Sequence, residues 1–139
     1  MSFRDLPADW PRRPLTDPRL ARDVLDLCVS DVARHQGGLC VLALRRDFSL
    51  AQPFFVPGPL PRLERHSMLA GLVSRYAPVP PGGGVVLGVV HPGSAVSDAD
   101  RAVHQDLIEV CRDTGVRLVS AHLVTTTGTD DLPRTWEAA

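Results

Sequence analysis

The sequence predicts an α/β domain: a layered sheet with helices on its faces. Three observations lead there. Apolar segments with helical and strand-like patterns alternate in the order helix, two strands, helix, strand, helix, strand. The run VVLGVV at Val85–Val90 is apolar without alternation, as a central strand covered on both faces would be. A helical pattern then separates that run from a second apolar strand, the spacing of a parallel crossover.

Residues 1–15 are rich in Pro and Arg, with Trp10 the one large apolar anchor, and read as a surface arm. Thr16-Asp17-Pro18 starts a helix: a capping side chain, then proline where its missing N–H costs nothing. Leu20, Val24, Leu27, Cys28 and Val32 recur at helical spacing and predict one buried face. Gly37-Gly38 ends this helix by taking the left-handed conformation.

Leu39–Leu44 and Phe48–Val56 read as strands joined by a turn at Arg45-Arg46-Asp47, with Pro53 placing the second strand near an edge. Leu63, Met68, Leu69, Leu72, Val73 and Tyr76 mark a second helix, broken by PVPPGGG. The third helix begins near Ser97, carries Val103, Leu107, Val110 and Cys111 on one face, and stops at Gly115. Val116–Thr125 is the last strand, with Val116, Leu118, Ser120, His122 and Val124 expected on one side. The polar segment 126–139 reads as a loosely held tail. The whole chain, 1–139, is read as one domain.

Bulk properties narrow the function classes. Of 139 residues 44% are hydrophobic and 22% charged, and the net charge is −1, so no global field recruits nucleic acid or an anionic membrane. Every basic residue is Arg, and Lys and Asn do not occur, a pattern of codon bias in a GC-rich bacterial genome rather than of phosphate binding. Cys28, Cys40 and Cys111 are scattered without a CxxC pair, which argues against both a zinc knuckle and a disulfide framework. The N-terminus has no apolar signal-peptide core, and the longest apolar run is far below the ~20 residues that span a bilayer. A reducing cytoplasm is the expected compartment.

The stretch VVLGVVHPGSAVSDAD carries the chemistry worth weighing. His91 leaves the buried strand at its carboxyl end, where α/β sheets place ligands. Ser97 and Asp100 have capping-box spacing, which explains both as a helix start, although a helix N-terminus can also hold an anion. His122, inside an apolar strand, reads as a packed core histidine, whereas His66 and His104 read as exposed on helices. Cys40 and Cys111 lie on apolar faces and read as small hydrophobes. PPGGGVV has neither P-loop nor dinucleotide-binding order, no GxSxG elbow occurs, and the zinc-deaminase pattern is missing.

The residues His91-Pro92-Gly93-Ser94, Ser97-Asp98-Ala99-Asp100, Thr114-Gly115-Val116 and Ala121-His122 follow the order of a known pattern. Across Leu39–Thr125 the chain resembles the RadC-like branch of the JAB/MPN metallopeptidase-like fold, a cytidine-deaminase-like topology class. In that family two histidines and an aspartate bind zinc, and a glutamate from an early strand is the general base. The resemblance carries only His91 and Asp100 over as metal ligands. Val89 stands at the first histidine, Ala121 replaces the acid before His122, the loop from His91 to Ser97 is two residues short, and no acid lies between Gly37 and Arg46.

A catalytic zinc wants three protein ligands and an activated water. The resemblance therefore implies a catalytically degenerate domain with no catalytic residue and no cofactor. It would act as an interaction or scaffolding module for a protein partner or a second copy, through its Pro-rich loops, its arm or a sheet edge. The rival readings are a zinc hydrolase rebuilt on His91, Asp100 and His122, and a binder of small anions or nucleotide fragments using His91 and Ser97.

Overall fold

The computed structural model describes residues 6–58, 67–71, 84–93 and 97–132. Their elements run α1 (Pro18–Cys28), α2 (Asp31–Gln36), β1 (Gly38–Leu44), β2 (Leu50–Pro57), β3 (Gly84–Val90), α3 (Asp98–Thr114), β4 (Leu118–Thr125) and β5 (Gly128–Leu132), preceded by a 3-10 turn at Trp10–Arg12. The strands form one five-stranded mixed sheet in the order β2-β1-β3-β4-β5. β1 lies antiparallel to β2 and β3, β3 runs parallel to β4, and β5 returns antiparallel to β4. The α/β class follows, with β3 in the middle and every one of its residues buried.

Strand alternation divides the core in two. Cys40, Leu42, Val86, Val90 and Val124 pack toward α1 and α2, against Ala21, Val24, Leu25 and Ala33. Leu39, Val41, Val85, Leu87 and Leu123 pack toward α3, against Leu107, Val110 and Cys111, with Leu69 of the helical segment 67–71. Most of the second predicted helix lies outside the described residues.

The arm ends by burying Leu15 completely, and the Leu15 N–H donates to the Phe48 carbonyl at 2.8 Å. The turn it meets is tight. Phe48 takes φ 68°, which few non-glycine residues adopt. Asp47 fixes the turn by accepting from the Ser49 N–H at 3.0 Å and the Ser49 hydroxyl at 2.6 Å. Those two bonds hold the Asp47 carboxyl below its ordinary range.

The single N-terminal helix expected up to Gly37 is two helices. Val29 turns extended after α1, and Ser30 caps α2 by accepting from the Ala33 N–H at 3.1 Å. The break rotates the pattern, so Leu27 and Val32, expected inside, are exposed, while Leu25, Val29 and Ala33 fill the core. Arg34 staples this elbow. Its guanidinium donates to the Val29, Asp26 and Thr125 carbonyls at 3.3, 2.9 and 2.9 Å and to the Asp26 carboxylate at 2.8 Å. Gly37 does have positive φ, at 81°, but with an extended ψ of 165° that leads directly into β1.

Two further expectations change at β4. The register slips between Val85 and Val86, so Val119 falls between the partners Leu118 and Ser120. Val116 and Leu118 consequently pack on the α3 side while Val124 packs on the α1 side, rather than all sharing one face. Residues 128–132, within the segment read as a loose tail, form edge strand β5. The opposite edge is β2, as Pro53 suggested.

Candidate functional site

His91 continues the β3 ladder by one bond, its N–H donating to the Val124 carbonyl at 2.9 Å. Its Nδ1 lies 3.9 Å from Asp100 Oδ2. Asp100 is itself the return arm of a complete capping box: its carboxylate accepts from the Ser97 N–H at 3.0 Å, and the Ser97 hydroxyl accepts from the Asp100 N–H at 3.1 Å. Such caps typically contribute ~1 kcal/mol. The box thus occupies two of the free N–H groups at this helix start, those of Ser97 and Asp100.

His122 is placed with other partners. Its ring is fully buried, with Nδ1 2.9 Å from Asp131 Oδ1 and Nε2 2.9 Å from Ser120 Oγ. Asp131 stands directly opposite His122 in the β4–β5 register. The structure therefore pairs His91 with Asp100 and sets His122 between Ser120 and Asp131. Among the described residues, no group of three or more His, Cys, Asp or Glu side chains could hold a metal ion. His91 and Asp100 supply two donors, short of the three that a catalytic zinc requires.

Ser120 and Asp131 were not singled out from the sequence. The available clue was Ser120-x-His122 on alternate positions of a strand, which puts both side chains on one side. Asp131 carried no comparable mark, because β5 was not recognised as a strand. A cleft of about 240 Å³ opens at this cluster, bordered by Thr16, Pro18, Val119, Ser120, His122 and Leu132. A second cleft of about 370 Å³ lies between α3 and β4, bordered by His104, Arg112, Leu118 and Ser120 among others.

His104, expected at the surface, is 1% exposed. It follows Val103 and precedes Leu107 on α3, and the turn of the helix carries it to the inner side. His66 lies outside the described residues. The thiols behave as the apolar groups expected: burial pushes Cys40 up to about 12, with Cys28 adding to the rise, and Cys111 up to about 11.

Burial holds both His104 and His122 below the usual histidine range, with Asp131 partly opposing the effect at His122. Unfolding releases each to its ordinary value near 6.5, so the unfolded chain binds more protons. The stabilising contribution of each neutral ring is complete above that value and is lost as pH falls toward the lowered folded values. Melting temperature is expected to drop between pH 7.5 and 5.5, with a slope of at most about 1.4 kcal/mol per pH unit for each ring. Thermal melts of the native chain and of His104→Leu check this. The variant should flatten the acid side, and a native Tm independent of pH over that window would contradict it.

No protein-family model matches this chain, and a search of curated proteins finds no match. The fold class, a five-stranded mixed α/β sheet with helices on both faces, is what the structure itself establishes. No helix among the described residues is long and apolar enough to cross a membrane.

Proposed function

We propose that the chain is a JAB/MPN-like domain of the RadC-like kind that has given up zinc hydrolysis and works as a protein-interaction module. The separation of His122 from His91 and Asp100 supports the loss of the metal chemistry, since each group already has structural partners. The observation that carries the binding role is the α1–α2 elbow. Leu27 is 42% and Val32 68% exposed, on either side of a break that Arg34 holds rigid. Large apolar side chains displayed on a preorganised elbow bind a partner without paying for ordering. Covering the part of each that is still exposed contributes a corresponding fraction of the roughly 1.5–3 kcal/mol of a fully exposed side chain. The occupant is a different protein with an apolar anchor of its own.

A photo-crosslinking residue placed at position 32 tests the reading in cells. A specific adduct is expected at 32, lost when Leu27→Glu is added, and absent when the crosslinker sits at the exposed Asp113 on the far layer. The adduct mass separates a different protein from a second copy. No adduct at 32, or one that survives Leu27→Glu, would remove the elbow as the contact.

A further inference from the structure

The cluster on β4 and β5 has a use that neither the binding role nor the family resemblance requires. Ser120 and His122 sit two residues apart on β4, and Asp131 faces His122 across the β4–β5 pair. The resulting chain runs from Ser120 Oγ to His122 Nε2 at 2.9 Å and from His122 Nδ1 to Asp131 Oδ1 at 2.9 Å. We propose that Ser120 is a nucleophile that accepts a short acyl group from an ester, with His122 as its base and Asp131 as the group that positions the base.

The arrangement meets the physical demands of that role in turn. The Asp131 carboxylate can only accept, so the ring proton resides on Nδ1 and Nε2 keeps its lone pair toward the serine hydroxyl. Complete burial keeps the ring neutral and therefore able to take a proton at neutral pH. Ser120 is only half-buried and borders the 240 Å³ cleft together with His122, so nucleophile and base front the same space. The cleft walls at Pro18, Val119 and Leu132 are apolar, which suits a short uncharged acyl chain. Arg22 of α1 is near enough for its charge to bear on His122, which favours the neutral ring.

The step balances without another reactant. As the Ser120 Oγ attacks the ester carbon, its proton passes to His122 Nε2 and the carbonyl electron pair moves to oxygen. Collapse re-forms the carbonyl and breaks the bond to the alcohol oxygen, which takes the proton from His122. Water then repeats the sequence on the acyl-serine, releasing a carboxylic acid and restoring the hydroxyl. The Asp131 carboxylate balances the imidazolium in both passes.

The full chain treated with a fluorophosphonate probe, and separately with 4-nitrophenyl acetate, tests the assignment. Mass spectrometry is expected to find the phosphonyl group on Ser120, and Ser120→Ala should lose it. His122→Gln should slow labelling about 100-fold or more, the scale of general-base catalysis. The labelling rate should rise with pH and level off near neutrality as His122 becomes fully neutral. Asp131→Asn guards against misfolding of the buried variant, because Asp131 is half-exposed. A folded Asp131→Asn should label at least about 10-fold more slowly and shift that pH profile. Absence of an adduct on Ser120 in the folded native chain would overturn the proposal. So would a folded His122→Gln or Asp131→Asn that labels at the native rate, because a purely structural cluster would behave that way.

Discussion

Replacing Arg34 by leucine is expected to lower stability by about 3–5 kcal/mol, the usual consequence of removing one member of a buried ion pair. The reason is specific to the elbow. Arg34 and Asp26 side chains are 8% and 15% exposed and 2.8 Å apart, so Asp26 would be left with poor access to water. The same guanidinium also satisfies the carbonyls of Val29, Asp26 and Thr125. These lie on three parts of the chain: the end of α1, the linker and the end of β4. Lysine carries the charge but not the planar fork, and Arg34→Lys should recover only a minor part of the loss. Urea unfolding measures both. A loss below about 1 kcal/mol for Arg34→Leu would mean that the elbow is held by apolar packing alone.

Leu87→Ala is the second large effect, expected at about 2–5 kcal/mol. Leu87 is fully buried at the middle of the central strand, paired with Val41 on one side and Ala121 on the other. Its cross-strand neighbours are held by strand pairing, which limits how far the site can close on the space that the lost side chain would leave. Val32→Ala provides the contrast. With Val32 68% exposed, its truncation should stay within about 0.5 kcal/mol. Denaturant titration of the two variants checks the difference, and equal losses would contradict the burial assignment.

Local signals in the sequence carried a good part of this architecture. The capping box at Ser97 and Asp100, the buried run at Val85–Val90 and the edge position marked by Pro53 each depend on a few adjacent residues, and each is found in the structure. What escaped depended on distant partners. The break at Val29 and Ser30 interrupts an apolar pattern that is helical on both sides, and Arg34, which fixes it, reaches Thr125 across the fold. β5 reads GTDDL, a composition poor in strand formers, and it is a strand because β4 supplies its hydrogen bonds. Missing β5 hid Asp131, and without Asp131 the alternation of Ser120 and His122 looked like ordinary core. His91 and Asp100 were legible as neighbours, whereas the placement of His122 away from them required the sheet register.

The two outer strands of the sheet also govern how the protein behaves in a crowded solution. An unguarded strand edge templates aggregation by adding strands from other copies. β2 carries Pro53, which removes one backbone donor from the strand that closes one side. β5 closes the other with the exposed adjacent carboxylates of Asp130 and Asp131, which an incoming strand would have to desolvate. Among the described residues, a chain that is 44% hydrophobic thus closes the two sides of its sheet in two unlike ways, each of which works against an added strand.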